Sequence, residues 1–272
     1  MTLRRVVHQL QRLLPARRRG VTILTYHLVG AGTRSPVDLP ADRFAAQMEE
    51  LHRIAAVVPL AEAVRRLREG GDDEGPLVVL TFDDAYENFY RAAWPVLAEL
   101  GLPATLFVPV GFVEGEAVAP MPLAAGLAPL TWPQLAEMTA GGHLAVGSHG
   151  WSHADLRTLD ALALERELGA SRRRLEDRLG AGVEAFCYPR GLWDRRLERH
   201  VGERYSFATV GGGQRTTTRT LRPLRLPRTP LRRDMPATMA PVVTAPVWLE
   251  EWLADRVRRL RPQRAASPAE AR

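Results

Sequence analysis

The sequence predicts an α/β fold in which parallel strands alternate with crossover helices, and three observations carry that expectation. Short apolar runs of β-type residues recur between longer stretches at helical spacing. No internal repeat is found, and no run of about 18 apolar residues interrupts the pattern. The composition, 46% hydrophobic and 25% charged, is that of an ordinary globular protein. The alternation admits a βα barrel or an open doubly wound sheet, and a single α/β barrel would account for all 272 residues.

The elements follow in order. Leu3, Val6, Val7, Leu10, Leu13 and Leu14 recur at helical spacing among Arg4, Arg5, Arg12 and the run Arg17, Arg18, Arg19. Residues 1–20 are therefore read as a basic amphipathic helix, of a kind that packs on its own domain or lies peripherally on an anionic membrane. The strand VTILTY comes next, then helices from about Asp42 to Ile54 and from Ala61 to Arg68. PLVVLTF is the second long strand, followed by a helix near Tyr90 to Leu100 and the strand PATLFVPV. Gly111 to Pro129, rich in Gly, Ala and Pro, is too long for a simple connector and reads as a lid or groove wall. A helix from Trp132 to Thr139, the strand HLAVGS, a long charged helix from about Asp160 to Leu179 and the strand VEAFCYP continue the alternation. After Ser206 the pattern weakens through GGGQRTTTRT and LRPLRLPRTPLRRDMP before a last helix from about Val247 to Leu260. Residues 21–260 form the expected globular domain, and 261–272 read as a disordered tail.

The charge balance is +6, from 37 basic and 31 acidic residues, and every basic side chain is arginine. No zinc-finger, RNP-type or basic-zipper pattern accompanies that charge, so no nucleic-acid partner is expected. The bias towards Arg, Ala, Gly and Pro fits a GC-rich coding background. Cys187 is the only cysteine, which excludes a disulfide framework and Cys-rich zinc knuckles. Any metal must be held by histidines and carboxylates. The N-terminus lacks the apolar core and cleavage site of a secretory signal, and with no membrane-spanning run either, the expected location is the cytoplasm, with peripheral contact at the inner face of the membrane.

The most informative segment is Leu80-Thr81-Phe82-Asp83-Asp84, where an apolar strand ends in two carboxylates. In parallel α/β folds that C-terminal edge is where ligands bind. Two adjacent carboxylates raise each other's proton affinity unless a cation separates their roles; the alternative is a pair of helix-capping acids. A second segment, Ser148-His149-Gly150-Trp151-Ser152-His153, places two imidazoles four residues apart just after another strand. On one helical turn that spacing would bring both rings to one side, where they could share a metal. Joined with a strand-end carboxylate, the set is two histidines and one acid with open coordination positions.

With LTFDDAYEN, GSHGWSHADL and, after a long helix, AFCYPRG in this order, the chain resembles the polysaccharide deacetylase family, also called the NodB-homology domain or family-four carbohydrate esterases. The similarity spans roughly Val21 to Arg228. It implies a distorted, incomplete βα barrel and a metal-dependent hydrolase that removes N-acetyl groups from an N-acetylhexosamine-containing polysaccharide, oligosaccharide or glycolipid, releasing acetate. A cell-envelope substrate and a divalent ion, Zn2+ most often and Co2+ or another in some members, belong to the same implication. Matched to the motifs, Asp83 would be the general base, and Asp84, His149 and His153 the metal ligands. Backbone N–H near Pro189 and Arg190 would steady the oxyanion, and Tyr188 and Trp151 would line the sugar pocket. Thr25-Tyr26-His27 is similar to the tyrosine-histidine motif of the biofilm-exopolysaccharide deacetylases, which makes His27 the general acid in place of the missing late leucine-x-histidine motif. His8, His52, His143 and His200 belong to no motif and are read as structural.

Two departures from the family pattern matter. Cys187 occupies the place of an arginine that pairs with the catalytic aspartate, and Arg190 stands where an aromatic is common. Arg228, in LRLPRTP, is the expected replacement cation. The departure at Cys187 also keeps a second reading open, a catalytically weak carbohydrate-binding relative that retains the fold. A non-haem iron oxygenase would use the same ligand types, but on an all-β sandwich that this alternating pattern contradicts.

Overall fold

The computed structural model describes residues 19–70, 75–116 and 126–260. The predicted N-terminal helix and the tail therefore lie outside the described residues, as do residues 117–125 of the expected lid. Strand β1 (Val21–Tyr26) opens the described chain, followed by a parallel pair of two-residue strands, β2 (Leu28–Val29) and β3 (Asp38–Leu39). Then come α1 (Ala41–Ile54), β4 (Ala56–Val57), α2 (Leu60–Arg68) and β5 (Leu77–Phe82). A π turn, Phe89–Ala93, leads into α3 (Trp94–Glu99), which precedes β6 (Ala104–Val108), α4 (Val110–Val113), α5 (Trp132–Ala140) and β7 (Leu144–Ser148). The long charged segment is α6 (Ala161–Leu164), a second π turn, Glu165–Ala170, and α7 (Ser171–Leu179). The chain finishes with β8 (Ala185–Cys187), α8 (Arg195–Gly202), β9 (Phe207–Val210), β10 (Leu226–Pro227), β11 (Thr229–Pro230), α9 (Ala240–Thr244) and α10 (Leu249–Leu260).

The principal sheet runs β10-β9-β8-β7-β6-β5-β1-β11, with β4 beside β5, and its strand pairs are parallel. Strands β10 and β11 are separated by Arg228 alone. Leu226 and Pro227 pair with Thr209 and Val210 of β9, whereas Thr229 and Pro230 pair with Leu24 and Thr25 of β1. One short segment thus bridges the two edges and nearly closes an eight-stranded barrel, distorted because its closing strands are two residues each. The sequence pattern after Ser206 did not disclose β9, β10 or β11. Prolines at 227 and 230 break the β-type run, and pairing supplied by neighbours far away in the chain leaves no local periodicity.

Strand alternation sorts the side chains. Val21, Ile23, Val79, Phe107, Ala185, Cys187, Phe207 and Leu226 share one apolar cluster with Leu60, Ala63, Val64 and Leu67 of α2. Leu24, Tyr26, Leu80, Phe82, Leu106, Phe186, Tyr188 and Val210 belong to the larger cluster that packs against the outer helices. α2 therefore packs at the end at which the strands begin, and the polar positions Thr25, Thr81 and Thr209, all buried, lie towards the end at which they finish. Local signals set the helix ends: Thr131 and Gln134 form a capping box at α5, Asp194 caps α8, and Gly180, at φ 65°, stops α7.

Candidate active site

The carboxylates and histidines of the expected site lie at or beside the C-terminal edge of the barrel strands. Asp83 and Asp84 follow β5, His27 follows β1, His149 follows β7 and Tyr188 follows β8. The ladder runs one residue further at two of these ends, since Asp83 N–H donates to Tyr26 O at 3.0 Å and His149 N–H to Val108 O at 2.9 Å. The side chains of these residues are therefore carried by rigid backbone. The carboxylates are not helix caps: the next helix, entered through the π turn at Phe89–Ala93, lies several residues on. Asp84 and Ala85 instead take left-handed φ of 75° and 56°, a strained turn of a kind concentrated at functional sites.

Asp84 Oδ1 lies 3.6 Å from His149 Nε2 and 3.7 Å from His153 Nε2. Those gaps are too long for hydrogen bonds, whereas donors about 2.0–2.2 Å from one tetrahedral zinc stand roughly 3.3–3.6 Å apart. His149 Nδ1 donates to the Cys187 carbonyl at 2.8 Å. A carbonyl only accepts, so the proton sits on Nδ1 and the Nε2 lone pair faces Asp84, the outer partner a ligating histidine needs. Burial, chiefly, pushes His153 well below the ordinary histidine range and so favours its neutral, ligating form. Burial also pushes the Asp84 carboxyl up to about 6, and the neighbouring Asp83 charge adds to this. A cation among these three donors would relieve that penalty, so the set fits a divalent ion. The route by which the histidines meet differs from expectation. Residues 149–153 form a loop rather than a helical turn, because Gly150 at φ 79° and His153 at φ 56° turn the backbone away from helical geometry.

Beside this cluster, Arg228 Nη1 donates to Asp83 Oδ1 and Nη2 to Asp83 Oδ2, both at 2.7 Å. This is a two-pronged ion pair between side chains that are almost fully buried. Arg228 also donates to Thr81 Oγ1 at 3.2 Å and Cys187 Sγ at 3.0 Å, and its guanidinium lies over the Phe107 ring. Burial alone would raise the Asp83 carboxyl. The Arg228 charge and hydrogen bonds, helped by His149 and His27, outweigh it and hold the group far below the usual carboxylate range. Burial pushes the Cys187 thiol far up, so Cys187 serves here as a neutral neighbour. His27 Nε2 stands 3.8 Å from Asp83 Oδ2, with a quarter of its side chain exposed. Thr81 was not singled out as a member of this cluster, although a signal existed. Thr81 and Asp83 are two residues apart at a strand end and so face the same side.

The remaining positions divide. Tyr188 was expected in the sugar pocket, and its side chain corrects that expectation: it is fully buried with its ring edge against Phe186. Alternation along β8 turns Cys187 inward and Tyr188 towards the helices. Trp151 is half-buried, its indole N–H donating to Glu116 at 2.9 Å and its ring under Arg166. Pro189, Arg190 and Gly191 form a single 3-10 turn in which Arg190 is exposed and left-handed at φ 58°. Among the described residues, no helix is long and apolar enough to cross a membrane.

The family profile for polysaccharide deacetylase matches residues 70–208, which contain both carboxylates, both histidines and the 189–191 turn. The chain belongs to the polysaccharide deacetylase family. Among curated relatives of this deacetylase-family chain, YxkH of Bacillus subtilis, named as a polysaccharide deacetylase, is 28% identical over 174 residues, 63% of this chain and 57% of YxkH. A 30.6 kDa protein from the fumA 3' region of Geobacillus stearothermophilus is 29% identical over 143 residues, 52% of this chain and 47% of its own. The chain thus spans about half the length of the curated relatives it matches. Among solved structures, the Streptococcus pyogenes deacetylase PplD, determined with acetate, superposes with TM-score 0.71 at 22% identity, covering 84% of this chain and 99% of PplD. IcaB from Ammonifex degensii superposes with TM-score 0.69 at 25% identity, covering 84% and 97%. The deacetylase fold therefore extends well beyond the profile match.

Proposed function

We propose that this chain is a metal-dependent N-deacetylase that hydrolyses the acetamide of an N-acetylhexosamine-containing glycan or glycolipid, releasing acetate and a free amine, with residues 21–260 as its catalytic domain. The observation that carries the reading is the convergence of Asp84, His149 and His153 on one point beside a separate, arginine-held carboxylate. Two acids with opposed environments are what a division between ligand and base requires.

An acetamide carbonyl is a poor electrophile, so the reaction needs an activated water, a polarised carbonyl and a proton for the amine. A zinc or other divalent ion held by Asp84, His149 and His153 would supply Lewis acidity for the first two. Asp83 accepts the proton of the attacking water. Its pairing with Arg228 lowers its basicity, and in exchange keeps it ionised and aimed. The following N–H groups of the turn are spent internally, Gly191 on Tyr188 O and Leu192 on Pro189 O. The Arg190 N–H is therefore the donor to the developing oxyanion in this reading. His27, the partly exposed group beside Asp83, delivers a proton to the departing nitrogen. Trp151 flanks the entrance, and Arg190 offers its guanidinium to the substrate.

The alternative of a weak carbohydrate-binding relative drew its support from Cys187 standing where a pairing arginine is usual. Arg228 meeting Asp83 from the closing strand favours the enzyme. The test is acetate release in the presence of Zn2+ or Co2+ from a panel of N-acetylated oligosaccharides and lipid-linked sugars, with Asp83→Asn as control. Release by the wild type that is lost on chelation and in the control is the expected result. No release from any substrate, or equal release by Asp83→Asn, would defeat the reading. Action from the cytoplasm at the inner face of the membrane rests on the basic pattern of residues 1–20. Cosedimentation with anionic vesicles, lost when those residues are removed, would support it.

A further inference from the structure

Glu167 lies within the π turn between α6 and α7, a break of the sort that proteins keep mostly at functional positions. Its side chain is buried at 4% exposure, yet no motif includes it and the proposed reaction does not use it. The carboxylate gathers the backbone between the two histidines. Trp151 N–H donates to Oε2 at 2.7 Å, Ser152 N–H to Oε2 at 3.1 Å and to Oε1 at 3.2 Å, and the Ser152 hydroxyl to Oε1 at 2.5 Å. Gly150 lies so close that a Cβ there would stand 2.7 Å from Oε2. The next residue back, Arg166, holds the other side of the same loop: its guanidinium covers the Trp151 ring and bonds Glu116, which accepts the Trp151 indole N–H.

A five-residue loop with left-handed backbone at Gly150 and His153 has no secondary structure of its own to hold two imidazoles towards Asp84. We infer that Glu167 is the positioning residue of the metal-ligand loop. By collecting the consecutive N–H groups of Trp151 and Ser152 it holds the strained conformation that aims His149 and His153 at one point, and the π turn places it within reach. This inference rests on the metal reading proposed above.

Divalent-ion affinity, rather than turnover, is the test. Co2+ or Zn2+ dissociation constants are measured by chelator competition on the full chain, for wild type, Glu167→Gln, Glu167→Ala and Leu175→Ala. The last removes a buried α7 side chain that makes no hydrogen bond to the loop, and so reports a purely structural loss. The expected result is affinity weakened by about 10–100-fold in the Glu167 variants, the usual scale for losing an outer partner of a ligand. Leu175→Ala should lower the melting temperature with the affinity unchanged. Glu167→Gln keeps the size and one acceptor oxygen, so it provides the readout should Glu167→Ala fail to fold. Wild-type affinity in Glu167→Gln, or equal weakening in Leu175→Ala, overturns the inference while leaving the metal reading intact. A wild type that binds no divalent ion overturns both.

Discussion

Replacing Arg228 by methionine removes the only cation that pairs with Asp83 through hydrogen bonds among the described residues. Two charge-assisted bonds of 2.7 Å are lost, together with the contacts to Thr81 and Cys187, and a carboxylate at 4% side-chain exposure keeps its charge without its partner. Breaking a buried pair from one side costs about 3–5 kcal/mol. At roughly 2–4 °C per kcal/mol for a chain approaching this size, the melting temperature should fall by about 6–20 °C. Asp83→Asn strands the guanidinium instead and should cost a similar amount. The double variant Asp83→Asn/Arg228→Met leaves neither charge, so its loss should be far smaller than the sum of the singles. Urea denaturation followed by tryptophan fluorescence, with chelator present throughout to remove any contribution from bound metal, gives the three values. Single losses that add to within about 0.5 kcal/mol of the double would mean the two side chains are energetically independent, and the account of a locked carboxylate would be wrong.

Asp84→Asn or His153→Ala should weaken Zn2+ binding by more than the 10–100-fold typical of an outer partner, measurable by chelator competition, with little change in metal-free melting temperature. His27→Ala should lower deacetylation of an N-acetyl substrate by about 10²–10⁴-fold, while hydrolysis of an activated aryl acetate, whose phenolate departs without a proton, falls by under about tenfold; equal losses on both substrates would remove His27 from the acid role. Cys187, fully buried and with its thiol pushed far up, should react with a disulfide reagent only on unfolding, so rapid labelling of the native protein would contradict its placement.

What could be read from the residues alone was whatever local pattern encodes. The apolar runs ending at Phe82 and Ser148 located the strand ends, and the chemistry of carboxylates and imidazoles beyond them placed a candidate metal set. The helices from Ala41 to Ile54 and from Trp132 to Ala140 were legible within a residue or two because amphipathic spacing and capping are short-range. Tyr188 was misjudged because the side a strand residue faces depends on which layer its neighbours fill, and a three-residue strand offers too little alternation to tell. The 149–153 loop was read as helical from its spacing, since a partner as remote as Glu167 leaves no trace in the HGWSH segment. The barrel's closure was unreadable for the same reason: β10 and β11 are two residues each, and their pairing comes wholly from β9 and β1.

Arg228 reaches Asp83 across 145 residues of chain. A ribosome releases the three prospective ligands long before the cation that locks the neighbouring carboxylate. During synthesis the barrel therefore stays unsealed, with its acid pair unbalanced, until translation has passed the last two short strands. The order of emergence places the pairing of Asp83 with its cation after both closing strands, when the carboxylates and histidines are already in the growing chain.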